Sequence, residues 1–479
     1  MKKILPGFFL PVLIFGCASA PPLQDAALLE PVPAQRLQQA DTLRADWWRD
    51  FKDSTLDSVI AELQRNSFNL QAAAARLDMA LAQARINGAD VFPSISAGVS
   101  ATRSRQNLIG FPIPSAKNGI LTIRSNSFGI STNISWELDL WGRVRSGRAA
   151  ALANAQAAGA DYAAAWNSLI GQTAKAWFAA IEAQRQVELA ESTLSVLKTS
   201  REQIYTRYSR GLRPSLDYVL AKSNVAAAEA VLQQRRQILE QVQRQLELLL
   251  GRYPAAEISI AKSLPEPEGD IPAGIPVSLL LRRPDVIAAE RRLAASGASL
   301  KQARAALFPR ISLSAGGGTT TKEFSDLLNS DLVVWSLASN LLQPIFQGGR
   351  LRATVALMSA QQRLALAQYS QSALTAYTEV ENALAAVRYL SRQEEALNIA
   401  TQEALESRRL AEQRYNTGLT DLITVLEAQR RAYDAESQLL RIRRQKLDAR
   451  IDLYLALGGG FSASALDIEI PEIPENTDE

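Results

Sequence analysis

The chain has 479 residues, a formal net charge of +3 and 47% hydrophobic residues. It contains no His and one Cys, Cys17, so it lacks the commonest general base and metal ligand and cannot form an internal disulfide. We therefore expect no enzyme, no catalytic or metal site and no cofactor. The near-neutral charge gives no reason to expect a nucleic-acid partner.

Residues 1–16 have the pattern of a bacterial signal peptide. Lys2 and Lys3 precede an apolar stretch that is too short for a membrane-spanning helix of about 20 residues. The stretch ends in Leu-Ile-Phe-Gly-Cys, which resembles a lipobox, so we expect Cys17 to be lipidated after cleavage before it. The next residue, Ala18, is not Asp, which by the same resemblance implies sorting to the outer membrane. An incidental, unmodified Cys is the alternative.

Residues 17–53 are expected to form a lipidated N-terminal tether, because they begin with a proline-rich stretch of little periodicity. Helices are predicted over 54–65 and 67–90, where leucines recur near helical spacing, and Pro93 ends the second helix. No later segment is apolar enough for a membrane-spanning helix. A membrane could therefore be crossed only by strands.

A first β-hairpin is predicted over about 93–139, where the hydrophobic period changes to two. In its second strand apolar and polar side chains alternate, so one face suits lipid and the other suits water. We expect strands of about 10 residues, long enough to cross a bilayer when tilted, and an exposed loop over 105–124. A half-buried soluble hairpin would show the same alternation. Likewise, Phe128, Trp136 and Trp335 could be interfacial aromatic residues or ordinary packing residues.

A single long helix is predicted from Arg143 to Tyr208, because no Pro interrupts this stretch. About 65 helical residues would span about 100 Å. Apolar residues recur every seven positions within it, as in a coiled-coil seam. Gly211 is suited to a left-handed helix end, and a return helix is predicted over about 215–250. The result is a helical hairpin with its tip at 207–214.

The second half of the chain repeats the first. The tip motif Arg-Tyr-x-x-Gly-Leu occurs twice, and its glycines are offset by 418 − 211 = 207 residues. The unit over 54–251 is therefore predicted to recur over 278–458, with a second β-hairpin at about 309–345 and a second tip at 414–421. A period of this length indicates a duplicated domain rather than a solenoid.

Two further segments lie outside the repeats. Residues 252–277 contain five prolines and are expected to be a linker, whereas 459–479 form an acidic tail. The second repeat opens with Leu281-Arg282-Arg283-Pro284-Asp285. A structural role at a helix start is expected here, since Pro suits the first helical position and Asp complements the positive helix end.

Four strands per chain cannot close a barrel, and open sheet edges are not viable in lipid. If the strands cross a membrane, several copies of the chain must share one barrel.

The order of these motifs resembles that of the TolC-like outer-membrane efflux factors, in particular the NodT-type lipoprotein branch that serves RND tripartite systems. The resemblance covers nearly the whole mature chain. It rests on the duplication together with the lipobox at Cys17, Trp47-Trp48, Asn66-Ser67-Phe68-Asn69-Leu70, the Leu281–Asp285 motif and both tips.

This resemblance implies an α+β membrane protein that acts as a homotrimer. Three chains would build a 12-stranded transmembrane β-barrel and an α-helical coiled-coil barrel that extends into the periplasm. Residues near 252–277 and the tail would form an equatorial girdle. The partners implied are outer-membrane lipid, a periplasmic adaptor and an inner-membrane RND pump, for which the protein would be a passive exit duct.

The same resemblance implies a periplasmic gate. Tyr415 matches the family's gate tyrosine, Glu427 matches an acidic constriction position, and Thr424 stands where the founding member has another acid. Tyr208 and Asp217 are the comparable residues of the first repeat. Seam packing for the tyrosines and ordinary helix-start acids for Asp217 and Glu427 are the alternatives.

The two tips are the expected contacts of the adaptor, through Gly211, Leu212 and Arg213 and through Gly418, Leu419 and Thr420. A coiled-coil envelope lipoprotein with a structural or adhesive role is the main alternative to an efflux duct. It would explain the long helices and the lipid anchor but not the duplicated strands. A duct for metal ions or for protein secretion is a further alternative.

Overall fold

The computed structural model describes residues 46–109, 120–266 and 283–460. The predicted signal peptide, Cys17, most of the tether, part of the linker and the predicted tail beyond residue 460 lie outside these ranges.

The first repeat begins with a 3-10 turn and contains four helices and two strands: Trp47–Phe51 in the turn, then α1 (Ser54–Asn66), α2 (Phe68–Ala89), β1 (Ser94–Ile109), β2 (Ile120–Leu138), α3 (Arg143–Ser209) and α4 (Ser215–Leu249). The second repeat lacks an equivalent of α1 among the described residues and contains α5 (Pro284–Ala305), β3 (Arg310–Thr321), β4 (Val333–Leu342), α6 (Arg350–Asn416) and α7 (Leu422–Ala456).

The helices show the duplication directly. Both long helices have 67 residues, both return helices have 35, and α2 and α5 have 22 each. At 1.5 Å per residue, each long helix spans about 100 Å, as predicted. None of the helices in the described part of the chain combines the length and apolarity that a membrane crossing requires.

The four strands form one antiparallel sheet in the order β1-β2-β3-β4. The register places the predicted apolar residues on one face, since Val99 lies opposite Ile130 and Ala315 lies opposite Leu337. The predicted loop over 105–124 is wrong in extent, because β1 continues to Ile109 and β2 begins at Ile120. The ladder of backbone hydrogen bonds continues through residues with polar side chains, so the alternation of apolar and polar residues does not show where the strands end.

Gly318 allows β2 and β3 to approach closely. A Cβ at this position would lie 1.9 Å from the carbonyl oxygen of Ile130, whereas one at Gly317 would meet its nearest neighbour, the carbonyl oxygen of Val334, at 3.9 Å. The run of glycines in β3 therefore contains one position that excludes any side chain.

The largest hydrophobic core, here called the equatorial core, lies where the N-terminal 3-10 turn and α1 pack against the middle of α3 and the end of α7. Trp47 stacks on Tyr454 with ring centroids 5.3 Å apart, and Phe51 packs edge-on against Phe178. Asp53 caps α1 and also accepts a hydrogen bond from Trp177 Nε1 at 2.7 Å. Each fully buried aromatic side chain contributes roughly 1.5–3 kcal/mol, so this core fixes the 3-10 turn Trp47–Phe51 against α3 and α7.

Arg283 accounts for the structural role predicted for the Leu281–Asp285 motif. Its buried guanidinium donates to both carboxylate oxygens of Asp285, to Glu379 on α6 and to the Ala456 carbonyl oxygen at the end of α7. Burial alone would lower the pKa of Arg283, but Asp285 and Glu379 outweigh it and raise the pKa. Pro284 occupies the first turn of α5, as predicted. One side chain thus joins the start of α5 to two other helices.

The start of the linker is held by Glu247. Its buried carboxylate accepts hydrogen bonds from three consecutive backbone N–H groups, of Ala256, Glu257 and Ile258. Burial opposes ionisation, but these donors keep the pKa of Glu247 below its usual range. The described part of the linker is therefore tied to the end of α4.

Candidate gate at the helical tips

Both tips end their long helix in the same way. Gly211 and Gly418 adopt left-handed conformations, with φ of +73° and +80°. In the first tip the N–H of Leu212 donates to the Arg207 carbonyl oxygen at 2.9 Å, and the second tip has the equivalent bond from Leu419 at 2.8 Å. The N–H of each glycine also donates to the carbonyl oxygen three residues earlier, of Tyr208 or Tyr415, which completes the Schellman pattern of helix termination.

The leucines that follow these glycines are exposed at both tips. In a Schellman turn this position commonly packs against the preceding helix. Leu212 and Leu419 instead expose 68% and 70% of their surface. Ile423 and Leu216, at the starts of the return helices, are also exposed. Each tip therefore presents an apolar surface.

The two tips differ in how the return helix begins. Pro214 is the N-cap of α4 and offers no side-chain cap. In α7 the N-cap is Asp421, which accepts hydrogen bonds from both the backbone N–H and the hydroxyl of Thr424. Thr424, a predicted gate residue, is thus engaged in capping its own helix.

Tyr415 lies between the two helical hairpins. It is 7% exposed and belongs to a cluster with Ile204 of α3, Ala221 of α4 and Val425 of α7. Its hydroxyl lies 3.5 Å from a carboxylate oxygen of Asp217 on α4, at the limit of a hydrogen bond. The side chain therefore bridges from the second repeat to the first.

Two arginines of the first tip complete this bridge. The Arg213 guanidinium lies 4.5 Å from the centre of the Tyr415 ring and donates to the Tyr415 carbonyl oxygen at 3.4 Å. Arg207 donates to Asn416 Oδ1 at 3.3 Å. We call the contacts of these residues, Arg207, Arg213, Asp217, Tyr415 and Asn416, the tip latch.

Tyr208 is not part of the tip latch, although it is the repeat equivalent of Tyr415. It is 39% exposed and stacks on Tyr218 of its own hairpin, with ring centroids 5.8 Å apart. The structure thus brings Tyr415 and Asp217 together and leaves Tyr208 within the first hairpin.

Glu427 lies one to two turns above the second tip. Its carboxylate pairs with Arg431 at 2.9 Å and Arg430 at 3.0 Å, both on α7. Together with Arg430 it borders a groove of about 620 Å³ between the two hairpins, whose walls include Leu197, Leu220 and Leu426. Glu427 is therefore neutralised by its own helix and makes no described contact with the tip latch.

The charge states at the tips follow from these contacts. Burial raises the pKa of Tyr415, and Asp217 adds to this while Arg213 and Arg207 oppose it. The hydroxyl of Tyr415 therefore remains a donor at neutral pH. The Arg431 and Arg430 guanidiniums lower the pKa of Glu427, and hydrogen bonds from Thr424 lower that of Asp421. Both carboxylates are ionised at neutral pH.

A buried polar pair links the hairpins farther from the tips. Gln186 of α3 and Ser437 of α7 exchange hydrogen bonds, from Gln186 Nε2 to the Ser437 carbonyl oxygen at 2.9 Å and from Ser437 Oγ to Gln186 Oε1 at 2.8 Å. Nearer the equatorial core, Lys175 pairs with Asp452. The Gln186–Ser437 hydrogen bonds are more deeply buried than those of the tip latch, so the tips can separate at lower cost than the middle of the hairpins.

Sequence reasoning did not assign Arg207, Asn416 or Asp421 to the site, and it placed Arg213 among adaptor contacts rather than on Tyr415. The available signal was the difference between the tips, Arg213-Pro214 in the first against Thr420-Asp421 in the second. Asp is a preferred N-cap residue, because its carboxylate can accept a hydrogen bond from a backbone N–H in the first helical turn. The contacts of Arg207 and Arg213 have no local signal, because their partners lie about 200 positions away along the chain.

A family model described as outer membrane efflux protein matches residues 59–252 and 275–459. The chain is 34% identical over 423 residues to the pyoverdine export outer membrane protein OpmQ of Pseudomonas putida, covering 88% of this chain and 89% of that protein. It is 36% identical over 433 residues to the outer membrane protein OprJ of Pseudomonas aeruginosa, with 89% and 88% covered.

Solved structures resemble the chain over a similar share of its length. The outer-membrane channel OprN superposes with a TM-score of 0.81 at 30% identity, covering 89% of this chain and 96% of that one. The open state of the Neisseria gonorrhoeae MtrE outer membrane channel gives a TM-score of 0.77 at 29% identity, with 89% and 94% covered.

Proposed function

Because this chain belongs to the outer membrane efflux protein family, we propose that three copies form the exit duct of a tripartite efflux pump and that the tip latch holds its periplasmic end closed. The resemblance inferred from the sequence is confirmed at the level of family, fold and outer-membrane efflux function. The trimer, the gate, the partners and the lipid anchor are the parts that we propose.

One observation supports assembly of several copies, and three is the number that the resemblance implies. The sheet has one continuous apolar face, and its outer strands, β1 and β4, have open edges within the described chain. An open edge in lipid leaves backbone N–H and C=O groups unsatisfied, at a cost of several kcal/mol for each group. Three sheets joined edge to edge would form a closed 12-stranded barrel, continuous with long helices that reach into the periplasm.

The tip latch supports a gate because its contacts are few and long. They join the first hairpin to the second at the tips, while the Gln186–Ser437 pair and the equatorial core hold the same hairpins together farther up. A tilt of the second hairpin away from the first would break the latch and leave the core intact. Opening is then a two-state movement that an adaptor biases by binding the open state more tightly.

The exposed Leu212 and Leu419 are the proposed contacts of a periplasmic adaptor, and an inner-membrane RND pump supplies the energy. The relatives' names mention pyoverdine, toluene and antibiotics. We propose small organic molecules as the exported class. Protein secretion and metal-ion efflux remain outcomes that export assays would distinguish.

Purified protein reconstituted into planar bilayers tests this function. We expect a small, rarely opening conductance from the wild type and chemical cross-linking to a trimer in outer-membrane fractions. Absence of conductance even from variants without the tip latch, together with a monomeric state, would favour the coiled-coil lipoprotein instead.

The lipid anchor is tested separately. Cys17→Ala should abolish incorporation of radioactive palmitate, because the thiol that accepts the diacylglycerol is gone. The control is the wild-type chain expressed and labelled in parallel. Labelling of the variant equal to that of the wild type would refute the assignment of Cys17.

A further inference from the structure

The first hairpin of the sheet is longer than the second at the end farthest from the helices. β1 and β2 pair continuously from Ser94–Ser135 to Ile109–Ile120, whereas β3 pairs with β2 only as far as Phe128, opposite Thr321. Beyond Phe128, β1 and β2 therefore project as a two-stranded ribbon, here called the distal ribbon.

The distal ribbon carries a one-sided charge. Between Asp90 and Glu137 the sequence contains Arg103, Arg105, Lys117 and Arg124 and no Asp or Glu. The second hairpin is different, since its distal end carries carboxylates such as Asp326 and Asp331. The positive charge is therefore specific to the first hairpin.

The register gathers three arginines on one face. Arg105 lies directly opposite Arg124, and Arg103 lies opposite Asn126, two residues from Arg124. Direct partners in an antiparallel pair have Cβ atoms about 5 Å apart and diagonal neighbours about 7–8 Å. This face is the same one that carries Val99 and Phe128, because all these positions differ by even steps along the register. The arginines thus continue the apolar face outward.

This arrangement is unfavourable without an anion. All three arginines are exposed, and among the described residues none of them forms an ion pair. Like charges placed directly opposite each other destabilise a strand pair. The neighbouring polar side chains of Thr122 and Asn107 are hydrogen-bonded to each other, since Thr122 Oγ1 donates to Asn107 Oδ1 at 2.8 Å. A planar guanidinium binds phosphate through two parallel hydrogen bonds.

Position relative to the membrane points to the source of the phosphate. From Leu138 to Phe128 is 138 − 128 = 10 residues, which is about 34 Å along a strand and about 25 Å in height at a tilt near 40°. That height equals the apolar band of an outer-membrane barrel. Arg103 and Arg124 lie two to four residues farther out, at a height of roughly 5–10 Å above the band, where lipid headgroups lie.

We propose that Arg103, Arg105 and Arg124 form a binding site for a phosphorylated headgroup of the outward-facing lipid leaflet. This inference rests on the proposed function in that it places the sheet in the outer membrane with the helices on the periplasmic side. Each chain would hold one such lipid, and the headgroup phosphates would neutralise the opposed Arg105 and Arg124.

The test compares the wild type with the triple variant Arg103→Gln, Arg105→Gln, Arg124→Gln in detergent, with and without bisphosphorylated lipid A. Without lipid, the variant should be at least as stable to heat as the wild type, because the opposed charges are gone. With lipid, the wild type should gain stability and show bound lipid by native mass spectrometry. The variant should bind at least about tenfold more weakly. Arg105→Lys should show an intermediate loss, since it keeps the charge but not the two-pronged geometry.

Arg310→Gln is the matched control, because Arg310 lies on the same sheet at the opposite end. Equal lipid binding by wild type and triple variant, or an equal loss in Arg310→Gln, would overturn the proposal. So would a lower thermal stability of Asp331→Asn than of the wild type in the absence of lipid, since the arginines would then already be neutralised by a carboxylate of a second copy. Inorganic phosphate stabilising the wild type as well as the lipid does would also overturn it. Conductance in planar bilayers is measured on the same preparations. Failure of the wild type to bind the lipid, with normal conductance, refutes this site alone, whereas absent conductance even from variants without the tip latch refutes the proposed function.

Discussion

The tip latch makes a quantitative prediction about resting conductance. The double variant Tyr415→Phe, Asp217→Asn removes the hydroxyl–carboxylate contact between the hairpins and leaves the shapes of both side chains unchanged. The contact is 3.5 Å long and partly exposed, so its net contribution is about 1 kcal/mol per chain at most. If three chains open together, about 3 kcal/mol is lost, which shifts the closed-to-open ratio on the order of 100-fold.

The assay is single-channel recording in planar bilayers, supported by the sensitivity of cells to an antibiotic too large for porins. Resting open probability should rise on the order of 100-fold, and the cells should become sensitive. Arg213→Gln should add to the effect, because the guanidinium also lies over the Tyr415 ring and such contacts contribute about 0.5–1 kcal/mol at partly exposed sites.

Tyr208→Phe is the matched control for this prediction. It removes the same hydroxyl from the equivalent position of the first repeat, but Tyr208 stacks within its own hairpin. We expect no change in conductance. If Tyr208→Phe opened the channel as much as the double variant, or if the double variant behaved as wild type, the tip latch would not be the gate.

Three further predictions concern assembly and stability. Gly318→Ala should prevent folding of the sheet, since the Cβ of the alanine would meet the Ile130 carbonyl oxygen. Gly317→Ala should assemble normally, because its Cβ meets no such neighbour. Equal yields of the two variants in membrane fractions would contradict this. Burial raises the pKa of Asp448 to about 6, with Arg444 and Lys175 opposing. The unfolded state ionises at lower pH than the folded one, so stability falls as pH rises from about 4 to about 6. Asp448→Asn should therefore stabilise by roughly 1–3 kcal/mol at pH 8 and by nothing below about pH 4 in thermal melts. Arg283→Gln should cost about 2 kcal/mol in the same melts, because it leaves the buried Ala456 carbonyl oxygen without its donor and removes the ion pairs with the partly exposed Asp285 and Glu379.

Much of the fold was readable from short stretches of sequence. The alternation of the strands, the seven-residue spacing in α3 and the tip glycines each depend on contacts between residues a few positions apart, so local patterns encode them. The offset of 207 residues between equivalent glycines then predicts the second repeat from the first. Strand ends were less predictable, because polar ladders extend beyond the apolar alternation.

The residues that meet at the tips were predicted in part. Tyr415 and Asp217 were singled out by resemblance, and the structure places them in contact. The equivalence of Tyr208 and Tyr415 that the repeat suggests does not hold in three dimensions, because one tyrosine faces its own hairpin and the other faces the neighbouring one. Thr424, which the resemblance assigns to the gate, is held in the cap of α7 by Asp421.

By itself, then, the sequence determined the duplicated helix and strand plan, the two tip turns and the apolar face of the sheet, because each follows from periodicity or from the backbone freedom of one glycine. Only the tertiary structure decided which residues meet between the repeats. Tyr415 and Asp217 are 198 positions apart, and Arg105 faces Arg124 through the register of a hairpin. Such meetings depend on how two long helices, or two strands, are aligned along their whole length, and no local pattern specifies that alignment.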